Sequence, residues 1–351
     1  MNHPRSPAAR RLLDFLRSLA GRYTLSGQHN YIGVGAKYLD VVERMTGRRP
    51  LIWGSDFAFE VESDGIGKHY HCGPANVTDP GEPDPRLVEA PIGPAREALV
   101  RCALEQHARG HIVTLMWHAC FPTFGDRGPY DSIWQVGRLP SEETWRELTT
   151  PGTALHAAWA AQVDRVAVHL ARLRDAGVPV LWRPYHEMNG VWFWWCDKKG
   201  PAGFARLWRM LHERYTRLHG LDNLIWVWNT NAPRDRANDE AHAYDLYYPG
   251  GDVVDVLAAD VYGNDYRPSH HDDLEWLADG RPIALGEVGD VPTPEILERQ
   301  PGWTWFMPWG GLVARKNNAA RVPALYACER VLSLDDVTRG ADGEYRVARA
   351  T

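Results

Sequence analysis

Residues 223–230 read NLIWVWNT and residues 254–262 read VDVLAADVY, and these two stretches decide the fold class. Each stretch is apolar at most positions, whereas a strand with one face in water alternates apolar and polar residues. Strands that are apolar on both faces are typical of parallel sheets covered by helices. The two stretches therefore predict an α/β protein with a parallel sheet.

Six further short apolar runs have the same character, and most are followed by a turn and a helical stretch. The eight predicted strands are residues 23–26, 51–57, 112–118, 180–187, 223–230, 254–262, 282–289 and 304–309. Helices are predicted at residues 37–45, 95–109, 155–176, 203–219 and 319–332, after an amphipathic helix at the start of the chain. Eight such units in 351 residues predict a (β/α)₈ TIM barrel. An open nucleotide-binding sheet is disfavoured because no glycine-rich turn follows the first strand.

The domain organisation is predicted to be simple. The chain has no internal repeat and no low-complexity linker, so we expect a single barrel domain over residues 1–351. The segment 65–93 is rich in Gly, Pro and His, and it predicts a long loop after the second strand.

Charge and hydropathy exclude several classes of partner. The formal net charge is -6 and no run of Lys or Arg stands out, so we expect no nucleic-acid partner. No segment approaches the roughly 18 apolar residues of a membrane span, so no membrane association is expected. Arg10, Arg11, Asp14 and Arg17 interrupt the N-terminal apolar pattern, so the chain as written is expected to be cytoplasmic. Secretion is expected instead if a signal peptide has been removed. We also expect a monomer.

Neither a metal nor a cofactor is predicted. The five cysteines are scattered and form no CxxC pair, which disfavours zinc and redox sites. His69, His71 and Cys72 have a spacing that zinc accepts, but the sequence offers no evident fourth ligand. We therefore expect no cofactor and interpret these residues as part of the long loop.

The chain contains 16 Trp and 14 Tyr, more aromatic side chains than a core of this size needs. About half of them are expected to fill the core. Flat aromatic faces also suit sugar rings, whose C–H groups present an apolar patch beside hydroxyls that need polar partners. The composition thus indicates a carbohydrate ligand.

Catalytic residues of a (β/α)₈ barrel lie at the C-terminal ends of its strands. The predicted strand ends carry Asp56, His118, His186, Glu187, Asn229, Asn231, Asp260, Tyr262, Glu287 and Trp309. Two of these, Glu187 in RPYHEMNG and Glu287 in ALGEVGD, are carboxylates at the ends of apolar strands, where an unpartnered charge is costly. A structural ion pair between Arg183 and Glu187 would account for one of them. Two at the fourth and seventh strands favour a catalytic pair.

Glycoside hydrolysis requires two carboxyl groups of this kind, because one protonates the leaving oxygen while the other attacks or guides water to the anomeric carbon. One group must start protonated and the other ionised. Proximity raises the pKa of one member, and a cation or hydrogen-bond donor keeps the other charged. Arg183 and Tyr262 are the candidates for that donor role.

RPYHEMNGVWFWW (183–195) resembles the acid/base motif of glycoside hydrolase family 26, a clan A barrel family dominated by β-mannanases. ALGEVG (284–289) resembles the nucleophile motif of the same family. YTLSGQH (23–29), TLMWH (114–118) and WFMPWGG (305–311) are further similarities, and they occur in the order of the family. Cys196 and Asp197 depart from the motif, which commonly has Gly there, and HYHCG within the 65–93 segment has no counterpart.

The resemblance implies that Glu187 is the acid/base and Glu287 the nucleophile of a retaining enzyme. It also implies that His118, His186, Trp192, Tyr262 and Trp309 line the subsite of the reacting sugar. Two alternatives for the histidines are contact with sugar hydroxyls and hydrogen bonding to a Glu. Asp56 either contacts substrate or orients another residue of the barrel.

The function implied by the resemblance is endo-β-1,4-mannanase-like hydrolysis of mannan or mannooligosaccharides by double displacement. The same chemistry on β-1,3-xylan or mixed-linkage β-glucan is an alternative, so the expected partner is a β-linked polysaccharide or oligosaccharide. A noncatalytic carbohydrate-binding barrel would be expected to lack Glu187 or Glu287, and the chain has both. A metal-dependent hydrolase or an aldolase would need a His/Asp cluster or a strand-end Lys, and we find neither.

Overall fold

The computed structural model describes residues 4–31, 35–57, 59–63, 67–71, 92–124, 127–129, 132–135 and 137–348. Eight parallel strands, β1 to β8, follow one another around a barrel. They are Thr24–His29, Ile52–Asp56, Ile112–Trp117, Val180–Pro184, Leu224–Asn231, Val256–Val261, Ile283–Val288 and Trp303–Pro308. Each strand pairs with the next, and β8 pairs with β1 through Leu25 opposite Trp305. The predicted (β/α)₈ barrel is confirmed.

Ten α-helices lie within the described ranges. They are Pro7–Leu19, Lys37–Thr46, Ile92–Ala108, Glu142–Leu148, Ala154–Asp175, Phe204–Glu213, Pro268–Ala278, Pro294–Arg299, Leu312–Arg315 and Arg321–Ala327. The helix predicted at 203–219 is observed as the α-helix Phe204–Glu213 followed directly by a π-helical turn, Arg214–Leu218. No helix in these parts of the chain is both long and apolar enough to cross a bilayer.

The helix prediction missed four helices and misplaced one helix end. The missed helices are Glu142–Leu148, Leu312–Arg315, and the two after β6 and β7, Pro268–Ala278 and Pro294–Arg299. Each of the last two begins with a proline at its first position, which favours a helix start but which also marks turns. The helix predicted at 319–332 ends at Ala327, because Cys328 has an extended backbone and Val331–Leu332 pairs with β1 as a short strand.

The segment 65–93 is not one long loop. Strands Phe59–Ser63 and Gly67–His71 form an antiparallel hairpin, which Arg127–Pro129 extends to three strands. The helix Ile92–Ala108 begins before the segment ends. Residues 72–91, including Cys72, lie outside the described residues. Local sequence did not reveal the hairpin, because its third strand is more than fifty residues away along the chain.

The N-terminal helix closes one end of the barrel. Ser6 caps it by accepting a hydrogen bond from the amide of Ala9 at 3.3 Å, and its buried face includes Leu12 and Leu16. These side chains belong to one apolar cluster with residues at the first or second position of seven strands: Leu25, Ile52, Ile112, Leu181, Ile225, Val256 and Ala284. The helix therefore seals the N-terminal ends of the strands and leaves their C-terminal ends for the site.

Because Leu16 is fully buried in this cluster, Leu16→Ala is expected to lower the free energy of unfolding by about 2–5 kcal/mol. The matched control is Leu218→Ala, at a side chain that is 63% exposed, and it should change stability by less than about 0.5 kcal/mol. Denaturant titration of both variants measures the difference. Equal losses of stability would contradict the role assigned to the helix.

Candidate active site

The turn after β4 has an unusual backbone. Tyr185 and Glu187 both have positive φ, at 48° and 55°, a conformation that costs a non-glycine residue about 1–3 kcal/mol. The amide of Glu187 donates to the carbonyl of Asn229 at 2.7 Å, and the carbonyl of Glu187 accepts from the Cys196 thiol at 3.1 Å. These contacts hold the strained turn and fix the direction of the Glu187 side chain.

Glu187 is buried, and both of its carboxyl oxygens accept hydrogen bonds. Trp192 Nε1 donates to Oε2 at 2.8 Å, and Asn231 Nδ2 donates to Oε1. Burial and the negative charge of Glu287 raise the pKa of Glu187 to about 7, against the opposing effect of the two donors. Near neutral pH this group therefore exists in both protonation states, as a proton donor and acceptor must.

Glu287 lies in a different environment at the end of β7. Arg183 Nη2 donates to its Oε1 at 2.9 Å, and the Tyr262 hydroxyl donates to its Oε2 at 2.7 Å. Both candidate donors predicted from the sequence thus contact this carboxyl group. Arg183 pairs with Glu287 rather than forming the alternative structural ion pair with Glu187. A cation and a hydroxyl donor favour the charged carboxylate.

Two residues on neighbouring strands contact the guanidinium of Arg183. Asn229 Oδ1 accepts from Nη1 at 3.0 Å, and Asp260 Oδ1 lies 3.7 Å from the same nitrogen. Asp260 is fully buried, and burial together with the charge of Glu287 raises its pKa well above the usual range. Arg183 is thus held by Asn229 on one side and faces two carboxyl groups, with the shorter contact to Glu287.

One group of side chains in the described part of the chain has the composition of a metal site. The candidate ligand atoms of His186, Asp260 and Glu287 lie within 4.8 Å of one another. Arg183, however, lies 2.9 Å from Glu287 and 3.7 Å from Asp260, so its guanidinium already supplies positive charge between the two carboxyl groups. The geometry is that of an arginine–carboxylate cluster.

The two predicted histidines lie together but have opposite electrostatic environments. His118 Nδ1 is 2.5 Å from Asp56 Oδ2, and the amide of His118 donates to Oδ1 at 3.2 Å. Burial disfavours the charged imidazole, but the Asp56 carboxylate outweighs it and raises the pKa of His118. Burial, with the charges of His118 and Arg183, lowers the pKa of His186 well below its usual value.

The roles of these side chains follow from their contacts. Of the two roles left open for Asp56, the geometry favours orienting His118, because both carboxyl oxygens face that residue. The rings of His118 and His186 are 4.5 Å apart, and His186 Nε2 lies 3.7 Å from Glu287 Oε1. A neutral His186 can therefore present a ring nitrogen to Glu287 or to a ligand in the cleft.

Trp309 packs against two histidines of the site. It is partly exposed at the end of β8, stacks on His29 at 3.9 Å and meets His118 edge-on at 5.9 Å. Trp192 has little exposed surface, and its indole N–H is directed to Glu187. The expectation that half of the aromatic residues lie outside the core is wrong for tryptophan, since 13 of the 16 are buried.

The departures from the family motif have structural partners. Cys196 donates its thiol hydrogen to the carbonyl of Glu187. Asp197 has φ of 53°, and its carboxylate accepts a hydrogen bond from the Tyr247 hydroxyl at 3.0 Å. Glycine would adopt the same backbone without strain, so the two side chains add contacts beneath the site rather than altering the carboxyl pair.

Asn229 and Asn231 were strand-end candidates without a predicted role, and His29 and Arg234 were not among the candidates. Asn229 and Asn231 are two apart on β5, so alternation along the strand directs both side chains to one face. That spacing could have indicated that both asparagines face the site. His29 ends β1 and stacks on Trp309. Arg234 lies in the loop after β5, where no pattern marked it.

Comparison with known proteins agrees with this geometry. Residues 90–336 match the model of "Glycosyl hydrolase family 26". The structure of GH26A from Muricauda sp. MAR_2010_75 is 40% identical, with a TM-score of 0.84 over 96% of this chain and 100% of that chain. The Podospora anserina GH26-CBM35 β-(1,4)-mannanase is 31% identical, with a TM-score of 0.71 over 95% of this chain and 67% of that chain.

The curated relatives are longer proteins. A mannan endo-1,4-β-mannosidase of Thermothelomyces thermophilus is 32% identical over 96% of this chain and 63% of its own length. Two from Piromyces sp. are 26% identical, and the chain covers 52% and 49% of them. The chain thus spans about half to two thirds of their length. Because the family model covers most of the chain and includes both carboxyl groups of the site, the chain belongs to glycosyl hydrolase family 26.

Proposed function

We propose that the chain is a retaining glycoside hydrolase that cleaves β-1,4-mannosidic linkages in mannan or mannooligosaccharides. The observation that carries the proposal is the contrast between two buried carboxyl groups at one end of the barrel. The pKa of Glu187 is raised to about 7 by burial and by Glu287, whereas Arg183 and Tyr262 both donate to Glu287. One group is suited to hold a proton and the other to remain ionised.

In the first step, Glu287 attacks the anomeric carbon while Glu187 transfers its proton to the leaving glycosidic oxygen. The carbon–oxygen bond of the linkage breaks, and an ester forms between the sugar and Glu287. The hydrogen bonds from Tyr262 and Arg183 hold the Glu287 carboxyl group in position before attack. The partly exposed ring of Trp309 lines the subsite in which this sugar lies.

In the second step, Glu187 is ionised and acts as a base. It removes a proton from water, and the oxygen of that water attacks the anomeric carbon and displaces Glu287. Two inversions give net retention. A group whose pKa is near 7 can perform both steps at neutral pH, because neither protonation state is strongly disfavoured.

Relatives support mannan as the substrate. The Thermothelomyces thermophilus protein and both Piromyces proteins are named mannan endo-1,4-β-mannosidases, and the Podospora anserina structure is a β-(1,4)-mannanase. The structure of a β-mannanase from a symbiotic protist of the termite Reticulitermes speratus, complexed with gluco-manno-oligosaccharide, is also similar. That protein is 26% identical to this chain, with a TM-score of 0.73.

Release of reducing ends from β-1,4-mannan, β-1,3-xylan and mixed-linkage β-glucan tests the substrate assignment. We expect the purified chain to act fastest on mannan, and we expect Glu287→Ala to be inactive on all three, which excludes a contaminating enzyme. Faster cleavage of xylan or glucan would transfer the proposed chemistry to that polymer. Inactivity of the wild-type chain on all three would overturn the proposal.

The roles of the carboxyl groups can be separated with a dinitrophenyl glycoside, whose leaving group needs no protonation. Glu287→Ala should lose roughly 10⁴-fold or more of turnover on every substrate, because it lacks the nucleophile. Glu187→Ala should still form the glycosyl ester from the dinitrophenyl glycoside, and added azide should release it as a β-glycosyl azide. If both variants are equally inactive on this substrate, the assignment is wrong.

The pH profile tests the part played by Tyr262. Activity should fall on the alkaline side near the Glu187 pKa of about 7, because the acid must be protonated. Tyr262→Phe removes the donor to Glu287, so that carboxylate binds a proton more readily and the acidic limb should move to higher pH. Turnover should fall about 10- to 100-fold, at ~1.4 kcal/mol for each factor of ten.

Tyr345→Phe is the matched control for this profile. Tyr345 stacks on Phe15 of the N-terminal helix, at the opposite end of the barrel from the carboxyl pair. It should keep the wild-type limbs and turnover. A Tyr262→Phe profile that coincides with that of Tyr345→Phe would show that Tyr262 only packs in the site.

A further inference from the structure

Arg234 contacts both hydrogen-bond donors of Glu187. Its Nη1 donates to Asn231 Oδ1, and Asn231 Nδ2 in turn donates to Glu187 Oε1. Its guanidinium carbon lies 5.0 Å from the centre of the Trp192 ring, whose indole N–H donates to Glu187 Oε2. A single cation outside the carboxyl pair is therefore linked to both oxygens of Glu187.

The contact with Asn231 determines which end of its amide faces Glu187. An asparagine side chain offers an oxygen that accepts and a nitrogen that donates, and the two ends can exchange places by rotation. Arginine has donors only, so Arg234 takes the amide oxygen. The amide nitrogen is then directed to Glu187. The backbone of Asn231 is also held, because its amide donates to Asn189 Oδ1 at 2.8 Å.

Arg234 is itself held in place by its own loop. Its Nη2 donates to Asp239 Oδ1 at 2.5 Å, and its Nε donates to the carbonyl of Asp239 at 2.8 Å. The backbones of Arg234 and Ala241 pair in both directions, at 2.9 and 3.0 Å. Its side chain is 23% exposed. The guanidinium thus has a fixed position from which to orient Asn231 and Trp192.

We propose that Arg234 is a positioning residue for Glu187, which fixes the orientation of Asn231 and Trp192 so that both present donors to the acid/base. This inference rests on the proposed function of Glu187. It predicts that Arg234 affects proton transfer to the leaving group more than it affects attack by Glu287, because its contacts lead to Glu187 and not to the nucleophile.

Several charged or titratable groups face Glu187 from other strands. Glu287 on β7, Asp260 and Tyr262 at the end of β6, and His118 after β3 all interact with it electrostatically. None of these is altered by a change at Arg234. Burial and Glu287 raise the pKa of Glu187, whereas Asn231, Trp192 and Arg234 oppose that rise. Loss of Arg234 should therefore raise it further.

The test compares Arg234→Met with Arg236→Met in pH–rate profiles on mannan and on a dinitrophenyl mannoside. Arg236 lies in the same loop, and its side chain is 79% exposed. In Arg234→Met we expect the basic limb on mannan to move up by about one pH unit and turnover on mannan to fall about tenfold. Formation of the glycosyl ester from the dinitrophenyl mannoside should keep the wild-type rate. Arg236→Met should match the wild type throughout.

Arg234→Lys, which keeps the charge and a donor, should restore the basic limb toward its wild-type position. Arg234→Gln, which loses the charge, should move the limb up as Arg234→Met does, and it serves as the test if Arg234→Met does not fold. An unmoved basic limb, or an equal loss on both substrates, would overturn the inference. Failure of the proposed function is distinguishable from this, because the wild-type chain would then be inactive on mannan, or Glu187→Gln would remain fully active on it.

Discussion

Two carboxyl groups buried at one end of a barrel cannot both carry a charge unless one of them has a compensating partner. The chain meets this constraint with Arg183, which is itself buried and donates to Glu287 at 2.9 Å. Glu187 receives only neutral donors, from Trp192 and Asn231, and the pKa of Glu187 rises to about 7. The residues around the site maintain this difference between the partners of Glu187 and those of Glu287.

The barrel supplies that support because each part of the site comes from a different strand. Arg183 lies on β4, Asn229 on β5, Asp260 on β6 and Glu287 on β7, and neighbouring strands are hydrogen-bonded, with a register shift between Leu285 and Glu287. A closed sheet leaves little freedom for one of these residues to move relative to the others. The N-terminal helix fills the opposite end with apolar side chains, which leaves the C-terminal ends of the strands for the carboxyl groups.

The strands could be predicted from sequence because short, continuous apolar runs that alternate with helical stretches are characteristic of parallel strands buried on both faces. The helices at Pro268 and Pro294 were missed because a proline at the first position marks turns as well as helix starts. The strands Phe59–Ser63 and Gly67–His71 were missed because their pairing depends on a third strand that is remote in the chain. In the site, strand ends pointed to Glu187, Glu287, Tyr262 and Arg183, whose contacts the structure provides. Arg234 was missed because it follows its strand by three residues, in a loop whose course no periodic pattern predicts.

We propose that Glu287, and not Glu187, forms the covalent bond to the sugar. A 2-deoxy-2-fluoro mannoside with a dinitrophenyl leaving group should form the glycosyl ester quickly and hydrolyse it slowly, because the fluorine destabilises both transition states while the leaving group assists only the first. Mass spectrometry of the digested protein then locates the added sugar. We expect a stoichiometric adduct on the peptide that contains Glu287, whereas an adduct on Glu187, or hydrolysis without any covalent adduct, would contradict the assignment of Glu287 as the nucleophile.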